Sequence, residues 1–249
     1  MKFSIITAVY NNKKYIGDAI NSVLSQKEVD LEYLIMDGQS LDGTLEIIQK
    51  LNSSNIKLYI GKDDGIYDAL NKGFSKASGD VLGIMHSDDL FASDEILKKV
   101  EVLFNQGADV VYADLDYVNR EDITKVFRHW ESCKFKYSNL RFGWIPPHPS
   151  FYFKTQVLRE NGFFDLRYKI SADYDFMLRV LKNRQYKIAY LPETAVKMRV
   201  GGESNKSIAN IIKGSIEDHS IAMKYFRFPL LTVVSKVVRK IPQLIKRRS

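Results

Sequence analysis

A chain of 249 residues that is 45% apolar and 12% aromatic can bury a substantial core, which excludes a disordered polypeptide. Its one cysteine, Cys133, excludes an internal disulfide and any zinc centre built from several cysteines, and suits a reducing, cytoplasmic setting. The net charge of +7 belongs to the C-terminus: eight of the 37 basic residues lie from Lys224 onward with no acid among them, leaving 29 against 30 acids, so no nucleic-acid-binding surface is expected over the fold.

The N-terminal apolar run, FSIITAVY, is too short for a signal peptide, and no uncharged apolar stretch of about 18 residues occurs, so neither export by a leader nor a membrane span is expected. Strand-like and helical patterns then alternate: FSIITAVY, YIGDAINSVLSQ, LEYLIMD, TLEIIQKLN, IKLYI, IYDALNKGFSKA and DVLGIMH. This alternation predicts successive βαβ units and a mainly parallel sheet with helices on both faces. The strands are apolar on both parities, as doubly covered strands are. Three of them end in polar residues: Tyr10-Asn11-Asn12, Asp37-Gly38-Gln39-Ser40 and His86-Ser87-Asp88-Asp89. Open parallel sheets bind ligands at their carboxyl ends, so these three ends are predicted to converge on one crevice.

After about residue 108 strand-like runs recur less regularly, in ADVVYADLDYV, TKVFRHW, HPSFYF and YKIAYL. One helical pattern, SADYDFMLRVLKNR, sets Phe176, Met177, Val180 and Leu181 at helical spacing. A mixed or antiparallel extension is predicted there. The tail, FPLLTVVSKVVRKIPQLIKRRS, places Leu230, Val234, Val237, Ile241 and Leu244 on one helical stripe, with Lys236, Arg239, Lys240 and Lys246-Arg247-Arg248 mostly elsewhere. Pro242 kinks or ends it. Such a basic amphipathic helix fits an anionic membrane surface; a helix docked on the core is the alternative.

The polar positions admit two readings each. Asp37 closes a buried strand and is poised to accept an N–H from a ligand, such as the imide of uracil or N1–H of guanine. Asp42 and Thr44 read as turn and cap residues, and Asp63 or Asp64 as a cap for the next helix. The adjacent carboxylates Asp88 and Asp89 repel one another and are costly to desolvate. They mark either a solvated helix start in SDDLFASDEIL or a site for a hard divalent cation. Asp173 and Asp175 either begin a helix or supply a base, and His148 follows a proline-rich turn in WIPPHPSFYF.

Taken jointly, SIITAVYNN, LIMDGQSLDGT, DDGIYDALNKGFSKASGD, GIMHSDD and ISADYDFMLRV occur in the order and approximate spacing of family 2 glycosyltransferases. The chain resembles that family over roughly residues 1–205, above all the bacterial members that build capsule, O-antigen or exopolysaccharide units. The resemblance implies an α/β GT-A fold with a Rossmann-like, mainly parallel central sheet flanked by helices. Residues 1–107 would form the nucleotide-sugar-binding half, 108–205 a mixed-sheet acceptor half, and 206–249 a helical tail. Nucleotide contacts are implied for Thr7, Tyr10, Asn11, Asp37, Asp64, Asn71 and Asp88, with Asp37 on the base. A Mn²⁺ or Mg²⁺ ion is implied on Asp89, with Asp88 on the ribose or the metal, and Asp173 as catalytic base. His148 would border the acceptor, and Arg199 and Ser204 in MRVGGESN the diphosphate, a salt bridge being the alternative for Arg199. The chain departs from the family's pattern at His86, where Asp or Asn is commoner, and at Ala172, where Glu commonly precedes the base.

The implied activity is inverting, metal-dependent transfer of a sugar from a nucleotide diphosphate sugar, UDP-linked before GDP-linked, to a saccharide acceptor. A polyprenyl-diphosphate-linked glycan at the inner face of the cytoplasmic membrane fits the tail. One carboxylate base opposite the diphosphate suffices for direct displacement. Two other readings stay open: a sugar-phosphate nucleotidyltransferase, for which VYNNKKYI lacks the glycines of a phosphate loop, and a non-catalytic nucleotide-sugar-binding scaffold.

Overall fold

The computed structural model describes residues 1–51, 53–201 and 208–239, so Ser204 and, in the tail, Ile241, Pro242 and Leu244 lie outside the described residues. The first elements alternate as the pattern predicts: β1 (Lys2–Val9), α1 (Ile16–Leu24), β2 (Asp30–Asp37), α2 (Thr44–Lys50), β3 (Ile56–Ile60), α3 (Ile66–Lys76) and β4 (Val81–Ile84). There follow β5 (Leu90–Phe91), α4 (Ile96–Asn105), β6 (Val110–Val118), β7 (Val126–Trp130), β8 (Phe151–Lys154), α5 (Thr155–Asn161), α6 (Ala172–Lys182), β9 (Ile188–Arg199), α7 (Ile208–Tyr225) and α8 (Pro229–Val238).

The strands form one sheet in the order β3-β2-β1-β4-β8-β6-β9-β5, with β7 pairing off that path to β6. β3, β2, β1 and β4 run parallel. β8 is antiparallel to β4 and β6, β6 and β9 are parallel, and β5 and β7 are antiparallel to their partners. The mixed second half is thus as expected.

Side chains alternate across the sheet with the strand period of two. Ile6, Leu34, Leu82 and Tyr112 face the helices α3, α5, α6 and α7, whereas Ile5, Tyr33, Val81 and Val111 face α1, α2 and α4. Burial of each such side chain contributes about 1.5–3 kcal/mol, so a strand that gains on both faces is mostly apolar, and its buried polar residues, such as Ser4, Thr7 and Glu32, are hydrogen-bonded. Gly83 is small for a reason: a Cβ there would lie 2.8 Å from the Tyr152 ring and 2.9 Å from Ile5, so the glycine admits β8 alongside β4.

The expected division at residue 107 falls between α4 and β6, inside this single sheet, and both cores draw on residues from either side of it. The tail expected from residue 206 does not stand apart. Ile221 and Ala222 of α7 are fully buried, Ile221 in the core that holds Phe176. α8 docks through one side only. The Thr232 hydroxyl donates to the carbonyl of Arg141 at 2.8 Å, and Gly143, at φ 68°, has no room for a Cβ, which would come within 2.5 Å of the Lys236 nitrogen. The other side stays open: Leu230, Val234 and Val237 are 66%, 51% and 55% exposed. The docked reading therefore holds for one side of this helix, and the apolar residues on its other side are exposed. Among the described residues no helix is long and apolar enough to cross a membrane.

Candidate active site

The loops that leave β1 and β2 are tied to each other. The Asn11 N–H donates to Ser40 Oγ and its Oδ1 accepts from the Leu41 N–H, while Asn11 at φ 49° and Gln39 at φ 67° hold the left-handed backbone that non-glycine residues seldom adopt. Asp37, 1% exposed, accepts the Ser40 N–H on Oδ1 at 2.8 Å. Its Oδ2 is buried without a hydrogen-bond partner. An orphaned carboxylate oxygen is costly, and a ligand N–H would satisfy it. Gly38 follows because a Cβ there would meet Asp63 Oδ2 at 2.9 Å and the Tyr10 side chain.

Other residues expected on the nucleotide are placed differently. Tyr10 is 63% exposed at the mouth and Asn11 and Asp64 are also exposed. Thr7 is fully buried, its hydroxyl 2.6 Å from the Met85 carbonyl and 2.8 Å from the Tyr33 hydroxyl, so it braces β1 rather than reaching a ligand. Asn71 donates to the Phe164 carbonyl and accepts the Phe164 N–H, both at 3.0 Å, which spends its amide on tying α3 to the loop after α5. Asp42 accepts the Thr44 N–H and the Lys13 N–H, as a turn residue does, and Asp63 accepts the Gly65 N–H without capping α3.

The helix-start reading of the adjacent carboxylates is corrected by the structure. α4 begins only at Ile96, after the intervening strand β5, and Asp89 is 1% exposed. Its Oδ1 accepts the Arg199 N–H at 3.1 Å, and its Oδ2 is buried with no partner. Burial, reinforced by the charge of Asp88, raises its carboxyl well above the usual range. Asp88 is partly exposed, with Oδ2 3.9 Å from Nη2 of Arg120. A buried carboxylate with an orphaned oxygen beside a second, solvent-reaching one fits a hard divalent cation that takes one or two protein carboxylates and completes its shell with water and phosphate oxygens.

Arg199 does not face the crevice. It is 3% exposed, and its nitrogens donate to the Arg120 carbonyl at 3.0 Å, the Asp88 carbonyl at 2.7 Å and Asp18 Oδ2 at 2.5 Å. Its guanidinium also stacks on Tyr15, 4.7 Å from the ring centroid. The salt-bridge reading holds, and this residue buttresses the Asp88–Asp89 turn from behind. Arg120, which no pattern in the sequence marks, covers the same tyrosine at 4.8 Å and leaves 37% of its side chain exposed beside Asp88.

From this turn the site continues to Asp173. Asn12 Nδ2 donates to Ser87 Oγ at 2.8 Å, joining the β1 loop to the β4 loop. His86 packs ring to ring with His148, centroids 5.8 Å apart, and His148 Nδ1 lies 3.8 Å from Asp173 Oδ2. Burial lowers the His148 pKa to about 4 against the pull of the Asp173 charge, with His86 lowering it further. Burial likewise lowers that of His86. Two neutral imidazoles therefore floor the crevice between Asp88 and Asp173 at neutral pH. Asp173, in the first turn of α6, keeps 27% of its side chain exposed, whereas Asp175 is buried in a pair with Arg179 at 2.9 Å.

The family described as Glycosyl transferase family 2 matches residues 4–162. A PGL/p-HBAD biosynthesis glycosyltransferase of Mycobacterium tuberculosis is 27% identical over 209 residues, 82% of this chain and 79% of that protein. An uncharacterized glycosyltransferase of Nostoc is 33% identical over 127 residues, half of this chain but only 39% of that longer protein. Among solved structures, S. aureus TarS 1–349 in complex with UDP-GlcNAc superposes with a TM-score of 0.72 at 22% identity, covering 98% of this chain and 79% of that one. The mannosyltransferase PcManGT of Pyrobaculum calidifontis, in complex with GDP-Man and Mn²⁺, superposes with a TM-score of 0.68 at 17% identity, covering 98% and 72%. The fold is GT-A.

Proposed function

Because this chain belongs to glycosyl transferase family 2, we propose that it transfers one sugar, with inversion, from a nucleotide diphosphate sugar to a saccharide acceptor. The family displaces the nucleotidyltransferase alternative. The observation that carries the proposal is the pair of buried, orphaned carboxylate oxygens at the ends of β2 and β4, on either side of β1, Asp37 Oδ2 and Asp89 Oδ2, joined by a line of contacts to the half-open carboxylate of Asp173.

Asp37 takes the ring N–H of the base, for which uracil and guanine both qualify; TarS with UDP-GlcNAc and PcManGT with GDP-Man support both donor classes. Asp89, with Asp88, would hold Mn²⁺ or Mg²⁺, and the bound ion would neutralise charge on the leaving diphosphate. Arg120 takes the diphosphate-side role expected of Arg199. Asp173 accepts the proton of the acceptor hydroxyl as that oxygen bonds to the anomeric carbon and the bond from that carbon to the diphosphate oxygen breaks. Burial disfavours the cationic form of His86 and His148, the imidazoles on the floor beside this base.

The outward apolar sides of α7 and α8, with Ile212, Ile216, Leu230 and Val234 more than half exposed, support peripheral binding at an anionic membrane surface, and with it a lipid-linked acceptor such as a polyprenyl-diphosphate glycan in bacterial surface-polysaccharide synthesis. Calorimetry with UDP, GDP, CDP and dTDP, with Mn²⁺ and again with chelator, tests the donor reading. One nucleotide should dominate and lose affinity on chelation. Binding of none in either condition would overturn the donor reading.

A further inference from the structure

Two side chains given no role above, Tyr67 and Glu217, converge on the segment that carries Asp173. Glu217, in the middle of α7 and 9% exposed, aims its carboxylate at the backbone just before α6. Oε1 accepts the Lys169 N–H at 3.0 Å, and Oε2 accepts those of Ile170 and Ser171, both at 2.9 Å. These amides have no partner within α6, since they precede its first turn. A carboxylate there also complements the positive end of the helix. α7 is pressed against the same segment: the Ser171 hydroxyl donates to the Gly214 carbonyl at 3.4 Å, and a Cβ on Gly214 would touch Ile170 Cγ2 at 3.2 Å.

From the opposite side comes Tyr67 of α3. Its hydroxyl lies 2.7 Å from the Ile170 carbonyl and 3.0 Å from Asp173 Oδ1, so one proton serves a backbone acceptor and the carboxylate together. Its ring packs on Phe164 at 5.2 Å, the residue that Asn71 grips.

We propose that Tyr67 and Glu217 are positioning residues that clamp residues 169–173 from two sides and so aim the Asp173 carboxylate into the crevice. The proposal rests on the reading of Asp173 as the base. α7 then belongs to the catalytic unit. Glu217 holds the backbone and Tyr67 holds the side chain, leaving Oδ2, on the His148 side, for the acceptor. The groups facing Asp173 are Tyr67 from α3, His148 from the turn before β8 and, behind it, His86 from the end of β4.

The test compares Tyr67→Phe, Glu217→Gln and Asp173→Asn in the full chain. UDP-GlcNAc and GDP-mannose serve as probes, with nucleotide release, donor binding and amide hydrogen exchange as readouts. Glu217→Gln should speed exchange at residues 169–171 at least tenfold and lower kcat by about 10- to 100-fold without changing donor KM, the signature of a displaced base. Tyr67→Phe removes one oxygen and with it the bonds to the Ile170 carbonyl and Asp173 Oδ1; it should lower kcat about tenfold while donor KM stays as it was. Unchanged exchange in Glu217→Gln, or kcat within twofold of wild type in both variants while Asp173→Asn is inactive, overturns the clamp. Full turnover in Asp173→Asn instead overturns the reading beneath it. If Glu217→Gln does not fold, the split between kcat and donor KM in Tyr67→Phe decides alone.

Discussion

At the nucleotide end of the crevice the carboxylates follow from two parallel strands of one sheet, β2 and β4, that flank β1, whereas Asp173 at the other end is held by groups 25 to more than 100 residues away in sequence. Asp37 closes β2, and Asp89 sits on the turn after β4. Their direction follows from strand register and right-handed crossovers. Asp173 starts a helix that could point anywhere, and contacts from α3, the turn before β8 and α7 decide where it points. The difference teaches that the donor end is a property of the sheet, while the reacting end is a property of the assembled domain.

Asp173→Asn probes the reacting end most severely. Replacing the proposed base should lower turnover by about 10²- to 10⁴-fold and leave nucleotide affinity, a property of the other end, as it was; coupled loss of both in calorimetry and rate assays would erase the distinction. Next in size is the acid response of the crevice floor. Burial puts His148 at about 4 in the folded chain against its ordinary 6.5. The unfolded chain therefore takes up a proton that the native one refuses, and stability falls as the pH drops through this window. At most about 3 kcal/mol is lost this way. Urea titrations at pH 7 and pH 4.5 on wild type and His148→Asn should show the variant less pH-sensitive; equal slopes would remove His148 from the account.

At the nucleotide end, Asp37→Asn should weaken nucleotide diphosphate binding by about 10- to 100-fold, the worth of one hydrogen bond to a charged group at about 1.5–3 kcal/mol, with little effect on rate at saturating donor. Asp89→Asn should abolish the response of that binding to Mn²⁺ and, by removing a buried carboxylate with an orphaned oxygen, raise the melting temperature of the metal-free chain. A lowered melting temperature would mean that the carboxylate is satisfied after all. The smallest change in the crevice is expected from deleting residues 228–249. Anionic liposomes should then retain less protein, by about 1 kcal/mol per basic residue lost from the surface, while nucleotide binding stays within about twofold, because the contacts of α8 run to Arg141, Asp218 and the Tyr174 ring rather than to Asp37 or Asp89. Unaltered co-sedimentation would retire the membrane face.

Much of the donor end was legible in advance. Apolar runs on both parities marked the covered strands, and each polar stop marked a strand end. The two-residue β5 was not, since Leu90-Phe91 carries no period, and without it the Asp88–Asp89 pair reads equally well as a helix start. The sequence leaves Arg199 between the diphosphate and a salt bridge, because composition does not reveal that Asp18, 181 residues earlier, meets it. Thr7 and Asn71 fall in the right motifs yet spend their polar atoms on the scaffold.

The sequence by itself determined the sheet, the two covering layers of helices and the strand ends at which the donor carboxylates stand, because hydrophobic period and chain-local turn chemistry suffice for these. Only the tertiary structure decided which polar groups face the crevice and which brace it. Satisfying a buried donor or acceptor is a matter of distance in space, and the partners of Asp89, Arg199 and Asp173 come together only when the sheet, α3 and α7 have packed.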